Sequence, residues 1–399
     1  MSKKKKSQVS VISDKDARSM KAIPHTMPIY ASSTYIYESA EKARAVFKGE
    51  EEAFIYSRWS HPNAELVEQK IEQMETEGVN ADCKALCVST GMSAVAVMFQ
   101  SLLKPGDVVL AQGNIYGTTV DYFNHYAEAW GIKVLYADFH QLDLLEKALK
   151  HNKKIKLLYA ETPSNPTINC YDLKSLSALA HKYGAKMAVD NTFATPYLQK
   201  PFKFGVDFIV HSATKYLNGH GTALGGFLLG RDVDFIQSKA WKIRKLNGAI
   251  CAPFDAWLLN NGMKTLELRM DKHCSNAQQI ADFLSGHKKV AAVNYLGLQS
   301  HPDHALAAKQ MSAFGGVLSF ELKGGFKAGE KLLKRVSKCQ LTASLGTTDT
   351  LIQHPAGMSH YFVPKKQREL FGITEGLIRL SVGIENPRLI IEDLDAAMS

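Results

Sequence analysis

The 399-residue sequence has no run of about 18 apolar residues, so no segment reads as a membrane span. Its first ten residues, MSKKKKSQVS, carry four lysines with no apolar stretch behind them. They are not expected to form a secretory signal. They read as a solvated, disordered tail, with a weak polyanion contact as the sharper alternative. Cysteine is sparse: Cys83, Cys87, Cys170, Cys251, Cys274 and Cys339 are scattered, and none forms a CxxC. That argues against a disulfide framework and for reduced thiols in a cytoplasm. The histidines include His301 and His304 in HPDH, but there is no HExxH and no Cys/His quartet, so no metal is expected. A P-loop GxxxxGK[ST] and a strand-following GxGxxG are also missing, which excludes the common nucleotide-binding designs. The net charge is +9, but Lys3–Lys6 account for four of it. The modest remainder suits anionic small ligands rather than nucleic acid, which calls for a clustered basic face.

What is present is an ordinary globular composition, 45% apolar and 22% charged, over a length that allows two or more domains. From Lys84 to Gly230, seven short apolar runs recur: KALCVS, DVVLAQ, KVLYADF, IKLLYAET, KMAVDNT, VDFIVHS and GGFLLG. Most are continuous rather than alternating, as expected of strands buried on both faces. Helical patterns lie between several of them. In YDLKSLSALAHKYGA, Leu173, Leu176, Leu179 and Ala180 share one face and Gly184 closes the segment. Such alternation predicts an α/β fold with a mostly parallel sheet wrapped by helices.

Ligands of such sheets bind beyond the carboxyl ends of the strands. After the first run comes STGMSA, with Gly91 and Met92; after the second, Tyr116; after the fourth, Glu161 and Asn165. After the fifth comes Asp190, and after the sixth the loop HSATKYLNGHGTALGG, with Ser212, Thr214 and Lys215. Turn chemistry explains each loop singly, because Gly, Ser, Asn, Asp and Pro populate turns. It explains poorly why an acid, an aromatic and a lysine arrive on one rim.

These groups match the needs of pyridoxal 5'-phosphate. A Schiff-base lysine, here Lys215, needs an accessible free amine in a partly desolvated or cation-rich setting. The cofactor is an electron sink only while its pyridine nitrogen stays protonated, and Asp190 would hold that proton. STGMSA offers N–H groups at a helix N-terminus for the phosphate, Ser212 and Thr214 add hydroxyls, and Tyr116 can stack on the ring. The glycines after Lys215 read as room for backbone to pass close to the cofactor and a neighbouring subunit.

Taken together, VDNTFATPYLQKP, HSATKYLNGH, YSRWSHPN, SLGTTDTLIQHPAGMSH and GLIRLSVGIE resemble the Cys/Met-metabolism (trans-sulfuration) family of pyridoxal phosphate enzymes, over roughly Ile23 to Ala397. The family holds methionine γ-lyases, cystathionine γ-synthases, cystathionine lyases and O-acylhomoserine sulfhydrylases. The resemblance implies fold type I: an N-terminal arm (1–60, its first 20 residues disordered), a large cofactor domain (61–255) with a mostly parallel sheet, and a smaller C-terminal α/β domain (256–399). It makes Lys215 the Schiff-base lysine and Asp190 the pyridinium partner. Gly91, Met92, Ser212 and Thr214 then bind the phosphate, Asn165 faces the cofactor's phenolic oxygen, and Tyr116 stacks and shuttles protons. Arg379 clamps the substrate α-carboxylate with help from Ser344. Tyr56 and Arg58 match a pair that reaches a neighbouring subunit's phosphate, which implies a dimer with shared active sites and, by family habit, a homotetramer. An ordinary arm–body contact is the plain alternative for Arg58.

Three departures bear on substrate. HPN, His61–Asn63, replaces the usual Asn-Pro-Thr and is expected to alter the lip of the site. Thr118 stands where methionine γ-lyases usually carry cysteine. The approach to the Gly248–Ala249 pair also differs from those lyases, whereas the C-terminal half reads most like the lyase and sulfhydrylase branch. The expected reaction is γ-elimination or γ-replacement on methionine, cystathionine or an O-acylhomoserine. Lys215 moves the Cα proton and Tyr116 protonates the leaving group. The competing readings are a β-eliminating cystathionine lyase and a non-catalytic relative, and the intact set Lys215, Asp190, Tyr116 and Arg379 argues against the latter.

Overall fold

The structure, a computed structural model, describes residues 24–361 and 365–399. The lysine run at residues 3–6 and the expected tail lie outside the described residues.

All seven expected strands form, in one sheet. They are β1 (Lys84–Val88), β2 (Val108–Gln112), β3 (Lys133–Ala137), β4 (Ile155–Glu161), β5 (Lys186–Asp190), β6 (Phe208–Ser212) and β7 (Gly226–Gly230). Their order is β1-β7-β6-β5-β4-β2-β3. The strands from β6 to β3 pair in parallel, whereas β7 runs antiparallel to both β6 and β1. The reason is local. Thirteen residues, Ala213–Gly225, join β6 to β7 without a helix, so the chain returns beside the strand it left. The carboxyl ends of β1, β2, β4, β5 and β6 therefore share one rim.

A second sheet of β8 (Val290–Asn294), β9 (Val317–Leu322), β10 (Gln340–Leu341), β11 (Leu351–Gln353) and β12 (Leu377–Ser381) has the order β10-β11-β12-β9-β8. Except for β10 with β11 it is antiparallel. The helix Leu266–Gly286 serves both layers. Leu266 and Met270 join the apolar core beneath the large sheet, while Ala277, Ile280, Ala281 and Leu284 pack on the small one. The architecture is thus α/β, a mostly parallel sheet with a smaller sheet domain behind it.

The segment PNAELVEQKIEQME forms a helix, Pro62–Thr76, that buries Val67 and Ile71 and leaves Leu66 and Met74 half-buried. It also buries two carboxylates that amphipathic patterning does not reveal. Glu68 pairs with Arg244, and Glu75 meets His211 at 2.6 Å. His61 does not form a lip of the site. It is fully buried and caps this helix: Nδ1 accepts the Ala64 N–H at 3.1 Å, and Nε2 meets the Cys251 carbonyl at 2.8 Å. Asn63 fastens the arm, accepting the Tyr30 N–H and donating to the Pro28 carbonyl.

Candidate active site

The Lys215 loop is held by its own strands. Ser212 donates its N–H to Thr192 Oγ1 at 2.8 Å, and Thr192 donates its N–H to Asp190 Oδ1 at 3.0 Å, so the ends of β5 and β6 are laced together. Thr90 caps the helix Gly91–Leu102 by accepting the Ser93 N–H at 3.0 Å. The first N–H groups of a helix have no partner within it, and Gly91 and Met92 line the pocket. A Cβ on Gly91 would lie 2.7 Å from Ser212 Cβ. A Cβ on Gly226 would lie 2.3 Å from the Thr90 carbonyl oxygen. Only glycine lets this helix end approach β6 and β7 so closely. Side chains and backbone of the same chain press on the glycines after Lys215. Beside Gly219 it is the Arg269 guanidinium, which also donates to the Tyr216 carbonyl at 2.7 Å.

Nine of the residues singled out in the sequence, Gly91, Met92, Tyr116, Asn165, Asp190, Ser212, Thr214, Lys215 and Arg379, line one pocket. Ser344 lines an adjoining cleft and accepts from Lys215 Nζ at 3.0 Å. Tyr56 and Arg58 stay outside. Arg58 donates to the Lys245 carbonyl at 2.7 Å and lies 5.4 Å from the Tyr56 ring. Thr118 is exposed and off the pocket wall. Val95, Thr119, Thr192, Phe193, Leu224, Ala343 and Leu345 also line the wall without a sequence signal of their own, beside Thr90 and Glu161. Thr192, two residues after Asp190, could have been found from its place on the rim.

Burial, and then the Arg379 charge, push the Lys215 amine down to about 8. Burial raises Asp190, against the Thr192 hydrogen bonds and the charge of His211. Arg379, in the middle of β12, is 3% exposed. It donates to Asn165 Oδ1 at 3.0 Å and to the Ser344 carbonyl at 2.6 Å. With its oxygen turned inward, the Gln353 amide accepts from Nη1 at 3.2 Å. All three acceptors are neutral, and no described carboxylate lies within ion-pair distance. Burying a cation this way is costly unless an anion joins it.

These features fit pyridoxal phosphate together with an amino acid. A lysine whose amine is held down to about 8, a buried carboxylate, a helix end beside hydroxyls, and a guanidinium lacking its anion meet in one space. Such a pocket at the carboxyl rim of a parallel sheet defines a pyridoxal phosphate-dependent enzyme.

The chain belongs to the Cys/Met metabolism PLP-dependent enzyme family, whose model matches residues 8–399. It is similar to an L-methionine gamma-lyase of Fusobacterium nucleatum subsp. nucleatum, 44% identical over 373 residues, 93% of either chain. It is 37% identical to an O-succinylhomoserine sulfhydrylase of Pseudomonas aeruginosa, over 94% of this chain and 90% of that one. Among solved structures, a cystathionine gamma synthase of Xanthomonas oryzae pv. oryzae in complex with cystathionine superposes with a TM-score of 0.87 at 36% identity, covering 94% of this chain and 92% of that one. The protein is accordingly a pyridoxal phosphate-dependent trans-sulfuration enzyme.

Proposed function

We propose that this enzyme is a carbon–sulfur lyase that eliminates the γ-substituent of methionine, releasing methanethiol, 2-oxobutanoate and ammonia. One observation carries the choice. Among the described residues, the only lysine or arginine side chains lining the pocket are Lys215 and Arg379, one needed for the cofactor and one for the α-carboxylate. Leu224, Ala343 and Leu345 give part of the wall an apolar face, and the adjoining cleft carries Asp255 and Asp349 beside His220. A methyl thioether suits that apolar wall. A second carboxylate, as on a succinyl ester, finds no cation there. The resemblance to methionine gamma-lyases supports the same reading.

Bound pyridoxal phosphate supplies an aldehyde to link to amines and a protonated ring that withdraws electrons. In this reading Lys215 would provide the linking amine and would move the Cα proton, as its lowered proton affinity permits. Asp190 holds the proton at the pyridine nitrogen. Gly91, Met92, Ser212 and Thr214 would bind the phosphate, and Asn165, whose Oδ1 accepts from Arg379, would offer its amide NH2 to the phenolic oxygen. Tyr116 stacks on the ring and protonates the departing thiolate. Arg379 binds the α-carboxylate with a planar two-donor fork, and Ser344 assists.

Tyr56 and Arg58 complete the phosphate site of a second copy. The exposed apolar residues of the arm, Ile36 (69% exposed) and Phe47 (62%), give that copy something to cover, and we assign a homotetramer built from such dimers. The unit boundaries we adopt are the arm to residue 60, the cofactor domain at 61–255 and the C-terminal domain at 256–399. Among the described residues all six cysteines are free, and no helix is long and apolar enough to cross a membrane. The thiols suit a cytoplasmic enzyme.

The cleft adjoining the pocket shares Thr214 and Leu224 with it. That gives a thiol a route inward and makes γ-replacement the second reading. Purified enzyme incubated with methionine, cystathionine, cysteine and O-acylated homoserines, with and without sulfide, tests both. 2-Oxobutanoate and methanethiol from methionine are expected. Pyruvate as the main keto acid from cystathionine indicates β-elimination, and homocysteine formed from an O-acylhomoserine with sulfide, or a thioether formed with a thiol, indicates replacement.

A further inference from the structure

Glu161, at the carboxyl end of β4, is the one buried carboxylate of the pocket with no part in the scheme above. It is 4% exposed. Its Oε2 accepts the Tyr116 N–H at 2.8 Å and its Oε1 the Asn165 N–H at 2.8 Å. Its own N–H donates to Gln112 Oε1 at 3.0 Å, and Gln112 in turn donates to the carbonyl of Asn114 at 2.8 Å. One side chain thus joins the loop after β2 to the loop after β4. Asn165 carries the connection on to Arg379 in the other sheet at 3.0 Å.

We propose that Glu161 is a positioning residue for the reaction. By taking one backbone N–H on each oxygen, it holds the Tyr116 ring over the cofactor and keeps the Asn165–Arg379 contact in register with it. This rests on the reading of the pocket given above. The geometry calls for a carboxylate in particular. An amide has one acceptor oxygen, and its NH2 would face the other N–H donor head-on. Burial and the Asp190 charge favour the protonated acid, while the two N–H bonds and Arg379 favour the carboxylate.

The test compares E161Q, Y116A and the double variant as loaded enzymes. It measures the circular dichroism of the bound cofactor's visible band without substrate, cofactor affinity, kcat and KM. Misplacement of a reacting group by an ångström costs roughly 10²-fold in rate. E161Q is expected to keep its covalent cofactor, to lose visible dichroism in the same sense as Y116A, and to lose kcat on that scale. The double variant is expected to fall little below the worse single one, because both changes act through one ring. Unchanged dichroism with kcat within about twofold of wild type, or losses that multiply in full, overturns the proposal. Should E161Q not accumulate as folded protein, amide hydrogen exchange of the wild type decides. The Tyr116 and Asn165 N–H groups must exchange slowly, and fast exchange overturns the proposal. If instead Y116A behaves as wild type and the wild type binds no cofactor, it is the reading of the pocket that fails.

Discussion

Asn165 and Arg379 lie 214 residues apart in the chain and meet at 3.0 Å, Asn165 Oδ1 accepting from Arg379 Nη1. The contact joins the rim of the large sheet to the centre of the small one and leaves the guanidinium with neutral acceptors only. Replacing Arg379 with leucine removes both the charge and the fork. Hydrogen bonds to charged groups contribute about 1.5–3 kcal/mol. R379L is therefore expected to lower kcat/KM by at least tenfold, mostly through KM, in steady-state assays with methionine. R379K keeps the charge without the fork and should recover only part of the loss.

Because the Lys215 amine sits near 8, loading of cofactor-free enzyme should speed up with rising pH, about tenfold per unit below that value, and level off above it. Only the neutral amine attacks an aldehyde. Arg379 is the second cause of the depression, and removing its charge makes the ammonium easier to keep. R379L should therefore shift the midpoint upward. Stopped-flow absorbance after mixing with pyridoxal phosphate reads both, and a midpoint that moves down contradicts the assignment. K215A should bind the cofactor without the covalent link, so that borohydride fixes none to the chain.

Gly226 faces the Thr90 carbonyl where a Cβ would come within 2.3 Å. Backbone cannot yield there as a flexible side chain can, and overpacking costs typically about 1–3 kcal/mol. G226A should fold, with a weaker cofactor site because the start of helix Gly91–Leu102 is pushed from β7. Spectral titration of the cofactor-free variant should give a dissociation constant raised by roughly tenfold or more at that cost.

Arg244 is fully buried, pairs with Glu68, and donates to the carbonyls of Cys87 and Trp59. Breaking a buried pair from one side leaves an uncompensated charge, at about 3–5 kcal/mol. E68Q should lower the denaturant midpoint strongly while leaving the catalytic constants of the folded enzyme near wild type, since neither residue lines the pocket.

Shared sites can be tested by mixing. In the proposed dimer R58A would lack a residue contributed to a neighbour's phosphate, whereas K215A would lack one in its own site. Hybrids of the two contain one site with neither defect. Activity recovered on mixing and refolding two inactive variants supports an Arg58 that acts across the interface. No recovery places Arg58 in its own chain, as its bond to Lys245 suggests in a single subunit.

Much of the site was legible because residues that follow buried strands must land on one rim. Lys215, Asp190, Tyr116, Asn165 and the Gly91 helix start are each within a few residues of a strand end. Arg379 was legible only by resemblance, because nothing in a buried strand LIRLS says which sheet it enters or what it faces. The buried polar pairs were not legible at all. Glu75 and Glu68 look like the wet side of an amphipathic helix, and their partners His211 and Arg244 come from elements more than a hundred residues later. His61 reads as a variant of a motif and proves to be a helix cap, since its role depends on the Cys251 carbonyl meeting its far nitrogen.

By itself the sequence determined the strands, their burial and the chemistry of their ends. Those are set by local hydrophobic period and by which side chains follow each run. The tertiary structure alone decided that β7 returns antiparallel beside β6, that the small sheet delivers Arg379 to Asn165, and that Glu161 spans two loops with its two oxygens. Each depends on distances between segments remote in the chain, and these are fixed only when the two sheets pack over a common core.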